Sequence, residues 1–197
     1  LKICWCSDYR SFKKLVPSLQ EHPDAIIVTA DDDVYYAKDW LERLYSAYLE
    51  DNNSIHCHKA TKFSYEKGKF NAKGGGKKYY HKASFLNKLV GVGGVLYPAN
   101  SLDGEVVNSE LFNRLAPTND DIWFWFMAIK AGTRINVVKG NHPKPVDAYG
   151  SQSTIKLTDI NDNGDMLFWS QFNNLISYYP EIRNALISEM KQNYVRG

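Results

Sequence analysis

Ala25-Ile26-Ile27-Val28-Thr29-Ala30-Asp31-Asp32-Asp33 is the stretch on which the reading of the chain turns. Residues 25–30 form an unbroken apolar run, preceded by the helix-breaking His22-Pro23-Asp24. A run without alternation is the pattern of a strand covered on both faces, so it predicts the central strand of a largely parallel sheet. Ligands of open α/β sheets bind beyond the carboxyl ends of the strands, where Asp31, Asp32 and Asp33 stand. Adjacent anions repel one another. In extended backbone Asp31 and Asp33 share a face and Asp32 points the other way. A divalent cation would relieve the shared pair, and hard carboxylate oxygens suit Mg²⁺ or Mn²⁺. The competing reading is a turn with helix-entry charges.

Outward from this stretch, short apolar runs alternate with longer periodic ones, which argues for an α/β architecture. Upstream, residues 1–6 read as a strand and 11–20 as a helix with Phe12, Leu15, Val16 and Leu19 on one face. Downstream, residues 38–50 read as an amphipathic helix, with Trp40, Leu41, Leu44, Tyr45, Tyr48 and Leu49 at helical spacing. Residues 55–58 form a further strand, and 91–98 (GVGGVLYP) a strand interrupted by glycines. A helix over 119–131 is apolar on every side from Ile122 to Ile129 and must be buried. A strand over 134–138 follows, and the chain closes with a helical region, 166–193, broken at Pro180. No repeat or linker divides the 197 residues, so a single domain is expected.

The net charge of +2 conceals a segregation. Between Lys59 and Lys88 stand nine lysines against one acid, Glu66, while acids outnumber bases elsewhere. With Gly74-Gly75-Gly76 in its middle, this segment reads as a long mobile loop that is either a solvated surface or a contact for an anionic ligand. Three cysteines exclude a disulfide framework and favour a reducing compartment. No apolar run reaches the length of a membrane span. The chain opens at Leu1 rather than methionine, and is expected to be part of something longer.

IIVTADDDVYYAKDWLERLY resembles the nucleotide-sugar-binding core of GT-A fold glycosyltransferases, in particular the bacterial family 2-like enzymes of surface-polysaccharide synthesis. Their hallmark is a D-x-D motif at the end of a strand, matched here by Asp31-Asp32-Asp33. A second match, APTNDDIWFWFMAIKAG, looks like the acidic catalytic motif that opens a buried helix. The resemblance implies a GT-A-like (Rossmann-like), mostly parallel sheet flanked by helices, from which the first strand and helix of the fold are absent. It implies that Asp33 holds the metal (Mn²⁺ or Mg²⁺) on the donor diphosphate. Asp31 then contacts sugar or ribose and shares in the metal site, with Asp32 beside it. Either Asp120 or Asp121 is the general base, with a slight preference for Asp120. As residues alone, these two acids equally suit a helix's first turn, with Thr118 or Asn119 as N-cap. Gly93 and Gly94 match the segment that lets backbone approach the sugar; a bulge explains them as well. Asp8, Lys13 and Lys14 fall where the family places nucleotide contacts, and His142 where it places a further metal or phosphate contact.

The function so implied is metal-dependent, inverting transfer of a sugar from a nucleoside diphosphate, with UDP the expected carrier, to a hydroxyl of a glycan or lipid-linked glycan. The expected setting is bacterial cytoplasm, at the inner face of the membrane, with peripheral membrane contact and no nucleic acid. The 59–88 segment would be a lid whose lysines close on the diphosphate and whose rings stack on sugar. The alternative reads the same lysines and aromatics as a groove for single-stranded nucleic acid. A zinc site from Cys4, Cys6, His56, Cys57 and His58, and a calcium loop at Asp159, Asn161 and Asn163, are weaker alternatives.

Overall fold

The computed structural model describes residues 3–74, 82–139, 145–148 and 166–195. The fold is α/β with mixed sheets. The apolar run supplies β1 (Ile27–Thr29), and the three acids lead through a turn into β2 (Val34–Tyr35). Next come α2 (Trp40–Glu50), β3 (Ile55–Cys57), β4 (Ala60–Glu66), β5 (Lys69–Gly74), β6 (Asn87–Leu89) and β7 (Val95–Tyr97). The second half adds α3 (Ser109–Leu115), α4 (Asp120–Lys130), β8 (Ile135–Val137) and β9 (Val146–Asp147). Two C-terminal helices follow, α5 (Met166–Tyr178) and α6 (Pro180–Val195), separated at Pro180 as expected.

The main sheet has the order β1-β7-β3-β8, with only β3 and β8 paired in parallel. The expectation of a mostly parallel sheet is therefore corrected. Its basis survives in the strand directions, since β1, β3 and β8 all run the same way and α2 crosses from β1 to β3. The departure comes from β7, which enters antiparallel between β1 and β3 and separates them. For the same reason β1 is an edge strand of the described sheet and not its centre.

The lysine-rich segment is corrected most. Its described part is a hairpin, β4 with β5, closed by Lys67 and Gly68 at positive φ and paired through β4 to β6. Successive side chains of a strand face opposite ways. Lys62 and Lys69 thus alternate with Phe63, Tyr65 and Phe70, and the apolar set turns into the protein. Phe63 is fully buried against Trp125 and Phe172, and Phe70 packs edge-on to Phe172. Rings expected to stack on a ligand thus fill the core. Tyr79 and Tyr80 lie outside the described residues.

Three local expectations also change. Residues 3–9 carry no regular structure, and Trp5 is 95% exposed. Residues 11–20 are not one helix. A 3₁₀ turn, Arg10–Lys14, gives way at Leu15 to α1 (Val16–Glu21), because Pro17 lacks the N–H a continuous helix needs and is tolerated only in a first turn. On α2, Leu44 is fully buried while Leu41, Tyr45 and Leu49 are exposed, so the buried stripe is narrower than the spacing suggests.

The α4 helix is as expected, buried from Ile122 to Ile129. Burial of two indoles is compatible with their N–H groups because both find carbonyls: Trp123 donates to Val106 O at 3.0 Å and Trp125 to Phe85 O at 2.7 Å. No helix among the described residues is long and apolar enough to cross a membrane.

Candidate functional site

Three segments meet at the carboxyl end of β1. Phe12 stacks on Phe112 at 4.1 Å and fixes the 3₁₀ turn that presents Lys14. The Lys14 Nζ lies 3.2 Å from Asp31 Oδ1 and 3.3 Å from Asp120 Oδ2. The two acidic motifs, far apart in sequence, therefore converge on one ammonium. Burial alone would lower the Lys14 pKa, but Asp120, Asp121 and Asp31 together more than reverse it and hold the group protonated.

The first turn of α4 sets the second motif. Asn119 is the N-cap, its Oδ1 accepting from Ile122 N–H at 3.0 Å. Asp120 and Asp121 follow it, where the helix dipole favours anions. Their surroundings then diverge. Asp120 turns to Lys14, with its side chain 10% exposed. Asp121 is half-buried and accepts the Gly91 N–H on both oxygens, at 3.0 and 3.1 Å. Burial, then the charge of Asp120, pushes the Asp121 pKa up, while Lys88, Lys14 and the Gly91 bond pull it back. Lys88 is itself buried, which lowers its pKa against the pull of Asp121 and Asp120.

Asp31 is held from its backbone as well. Its N–H donates to Tyr36 Oη at 2.9 Å, and the Tyr36 hydroxyl donates to Val92 O at 3.1 Å. The acidic turn is thereby tied to the Gly91–Gly93 turn ahead of β7. Trp40 packs against Tyr36 with the rings tilted by 35° and donates its indole N–H to Gly93 O at 2.8 Å. The close approach that Gly94 permits is that of this indole: a Cβ there would overlap the Trp40 ring, and one at Gly93 would meet Lys59. A hollow lined by Tyr36, Trp40, Arg43, His58 and Gly93 opens beside the turn. A larger one, about 620 Å³, runs along α2 and β8 past Glu42, Glu50, Asn136 and Lys139, and of the residues singled out from the sequence only Lys82 of the lysine-rich segment lines it.

Of those residues, Lys14, Asp31, Asp120 and Asp121 form one cluster, with Gly93 and Gly94 on the adjoining turn. Asp32 and Asp33 lie in the turn and are exposed, so the expected extended face shared by Asp31 and Asp33 is not present. The Asp33 carbonyl accepts Ala148 N–H at 2.7 Å, fastening the turn to β9. Asp8 is exposed and accepts the Arg10 N–H, and Lys13 is exposed; among the described residues no hydrogen bond or ion pair joins either to the cluster. His142, Asp159, Asn161 and Asn163 lie outside the described residues. Gly91, Tyr36 and Lys88 belong to the cluster and were not singled out. Gly91 stood in the quoted GVGG, and Lys88 had a signal in its apolar neighbours Leu86 and Leu89.

No group of three or more His, Cys, Asp or Glu side chains able to hold a metal occurs among the described residues. Cys57 is buried, which pushes its thiol up to about 12, and Cys4 and Cys6 are exposed. His56 uses both ring nitrogens, with Asn136 and with the Asp51 carbonyl. For Mg²⁺ or Mn²⁺ the requirement is smaller, since such ions bind through one or two carboxylates plus water and phosphate. The exposed Asp33 meets it; Asp31, already paired with an ammonium, does so less well. No protein-family model, curated protein or solved structure matches this chain.

Proposed function

We propose that this protein is a GT-A-like glycosyltransferase that moves a sugar from a nucleoside diphosphate, with UDP as carrier, to a hydroxyl of a glycan or lipid-linked glycan. The observation that carries the reading is the shared Lys14. A D-x-D-type turn and an acidic helix start, which the resemblance assigns to donor and acceptor chemistry, lie within one ammonium's reach of each other. A strand end in an α/β protein is also where such chemistry is expected.

In this reading Asp120 is the base. Asp120 Oδ2 accepts no hydrogen bond from any described residue, while Asp121 is committed to the Gly91 N–H through both oxygens. The acceptor oxygen attacks the anomeric carbon as Asp120 takes its proton, and the bond to the diphosphate oxygen breaks with its electron pair leaving on the diphosphate. A single displacement inverts the anomeric centre. A divalent ion at Asp33 would supply neutralisation of charge on the departing diphosphate. The Tyr36 and Gly91 contacts keep the two motifs in register, so little rearrangement is left for the reacting state.

The test is calorimetric titration of UDP into the protein with and without Mn²⁺. Binding that requires Mn²⁺ and is lost in Asp33→Ala supports the transferase. Indifference to both, together with salt-sensitive binding of an oligonucleotide, would replace it with the nucleic-acid reading.

A further inference from the structure

The α2 helix offers an apolar row to solvent. Leu41, Tyr45 and Leu49 stand four residues apart and are 51%, 49% and 67% exposed. Spacing by fours aligns them on one ridge, and such ridges are what packed helices most often interlock. Single exposed apolar side chains are ordinary, whereas a contiguous row marks a contact surface. The row is also stiff. The Tyr45 ring stacks on Tyr48 with centroids 6.0 Å apart, and Tyr48 packs against the buried Leu44, Leu96 and Val138, so docking has little side-chain freedom left to remove.

Charge selects what the row receives. Lys38 is exposed just ahead of α2, and Glu50 is exposed at its last residue, beside the negative end of the helix dipole. The row reads the same in both directions about Tyr45. In an antiparallel pair, Leu41 therefore meets Leu49 of a second copy, Tyr45 meets its own equivalent, and Lys38 comes alongside the second copy's Glu50 and helix end. A parallel pair would set lysine on lysine and glutamate on glutamate. Self-complementarity of the antiparallel kind is what a two-fold axis requires. A lipid surface fits less well, because helices that lie on membranes carry lysine and arginine on their polar face. On α2, Glu42 and Glu50 are exposed and the Arg43 guanidinium is paired with Asp39.

We propose that the exposed row of α2 is the surface through which two copies of this protein pair, with the helices antiparallel about a two-fold axis at Tyr45. The proposal goes beyond the transferase reading and does not depend on it. One helix face makes a small interface, so the pair is a weak one, with a dissociation constant on the order of 10–100 µM.

Sedimentation velocity on the whole chain, from about 5 to 500 µM, should show the sedimentation coefficient rising with concentration towards that of a dimer. Leu49→Glu should weaken the pair by more than about tenfold, since each copy then buries a charge at the contact. Lys38→Glu should weaken it by about three- to tenfold, and Lys38→Glu combined with Glu50→Lys should restore it by re-forming the pair with signs exchanged. All three substitutions fall on exposed positions, and circular dichroism on dilute samples checks that each variant is folded. Register is tested separately, in protein carrying Cys4→Ser and Cys6→Ser. There Tyr45→Cys should form an intermolecular disulfide on oxidation, whereas Leu41→Cys should do so only when mixed with Leu49→Cys. A monomer at every concentration overturns the proposal, as does Leu41→Cys cross-linking to itself, which would mean a parallel pair. Monomers that float with phosphatidylcholine–phosphatidylserine vesicles and lose this in Leu49→Glu overturn it in favour of a lipid surface.

Discussion

Gly91 donates its backbone N–H to both carboxylate oxygens of Asp121, so the turn before β7 and the start of α4 are fastened at a single point. A Cβ at position 91 would lie 2.8 Å from Asp121 Oδ1 and 3.1 Å from Lys14 Nζ. Gly91→Ala must therefore push apart the carboxylate and the ammonium. We expect a loss of about 1–3 kcal/mol in urea unfolding, the usual range for overpacking. Mn²⁺-dependent UDP binding should weaken as well, since the turn before β7 and the start of α4 lose their common fastening. An alanine variant as stable as the natural protein would show that the turn yields.

Two glycines near these elements do have positive φ, and they separate strain from clash. Gly132 caps α4 at φ +78° with nothing within 4 Å of where a Cβ would stand, and Gly94 sits at φ +90° with the Trp40 ring where its Cβ would go. Gly132→Ala should cost about 1–2 kcal/mol for a left-handed backbone alone. Gly94→Ala should cost that and a further 1–3 kcal/mol or so for displacing the indole. Equal losses in parallel denaturant titrations would mean that Trp40 moves freely.

Asp121 gives a pH dependence of known sign. Its carboxyl is held above the ordinary range, chiefly by burial and then by the charge of Asp120. An acid with a raised folded pKa binds its proton more tightly in the native state than in the unfolded one. Its contribution is present at low pH and is lost as pH rises from the unfolded value through the folded one. Subtracting the stability of Asp121→Asn from that of the natural protein should therefore leave a difference that declines as pH rises through that window. A difference that grows with pH would mean that Lys14 and Lys88 outweigh burial.

What the sequence made legible was local. The β1 run, the Pro180 break and the buried α4 each depend on residues within a dozen positions of one another and stand where the pattern put them, although β1 is an edge strand and the three acids take the turn that was the competing reading. What was missed depends on partners remote in sequence. Nothing in VLYP says that β7 will slip between β1 and β3, since that is a choice among pairings. Alternating lysines and rings read as a loop because their charge was conspicuous, although their period of two fits a hairpin whose rings meet α5. Lys88 reads as a surface charge until Asp120 and Asp121, more than 30 residues later in the chain, are brought beside it. The convergence on Lys14 was legible only as a resemblance between motifs, and the lysine that joins them was singled out for a different contact.

Glu189 shows the same dependence on remote partners and gives the last prediction. It stands on α6 with its side chain 11% exposed, and its Oε1 accepts the Ser84 hydroxyl at 2.5 Å. The Phe85 N–H donates to both its oxygens at 3.2 and 3.3 Å, and Arg134 Nε lies 3.5 Å away. Ser84 is a junction in its own right, receiving Lys62 Nζ at 3.2 Å and bridging to Ile135 of β8. Glu189 thus anchors the C-terminal helix to the approach to β6 and, through Ser84, to β4 and to β8 of the main sheet. Removing it strands a backbone donor, a hydroxyl and the cations nearby, so Glu189→Ala should cost about 3 kcal/mol, as for breaking a partly buried charged network. Glu189→Gln keeps an acceptor for Phe85 and Ser84 and should cost only about 1 kcal/mol. The Lys62 ammonium, already lowered by burial, has Glu189 as the charge that raises it, so its pKa should fall further in both variants. Chemical denaturation with hydrogen exchange at Phe85 and Leu86 separates the contributions. If alanine and glutamine cost the same, the charge and not the hydrogen bonds holds α6 in place, and faster exchange confined to α6 would place the anchor elsewhere.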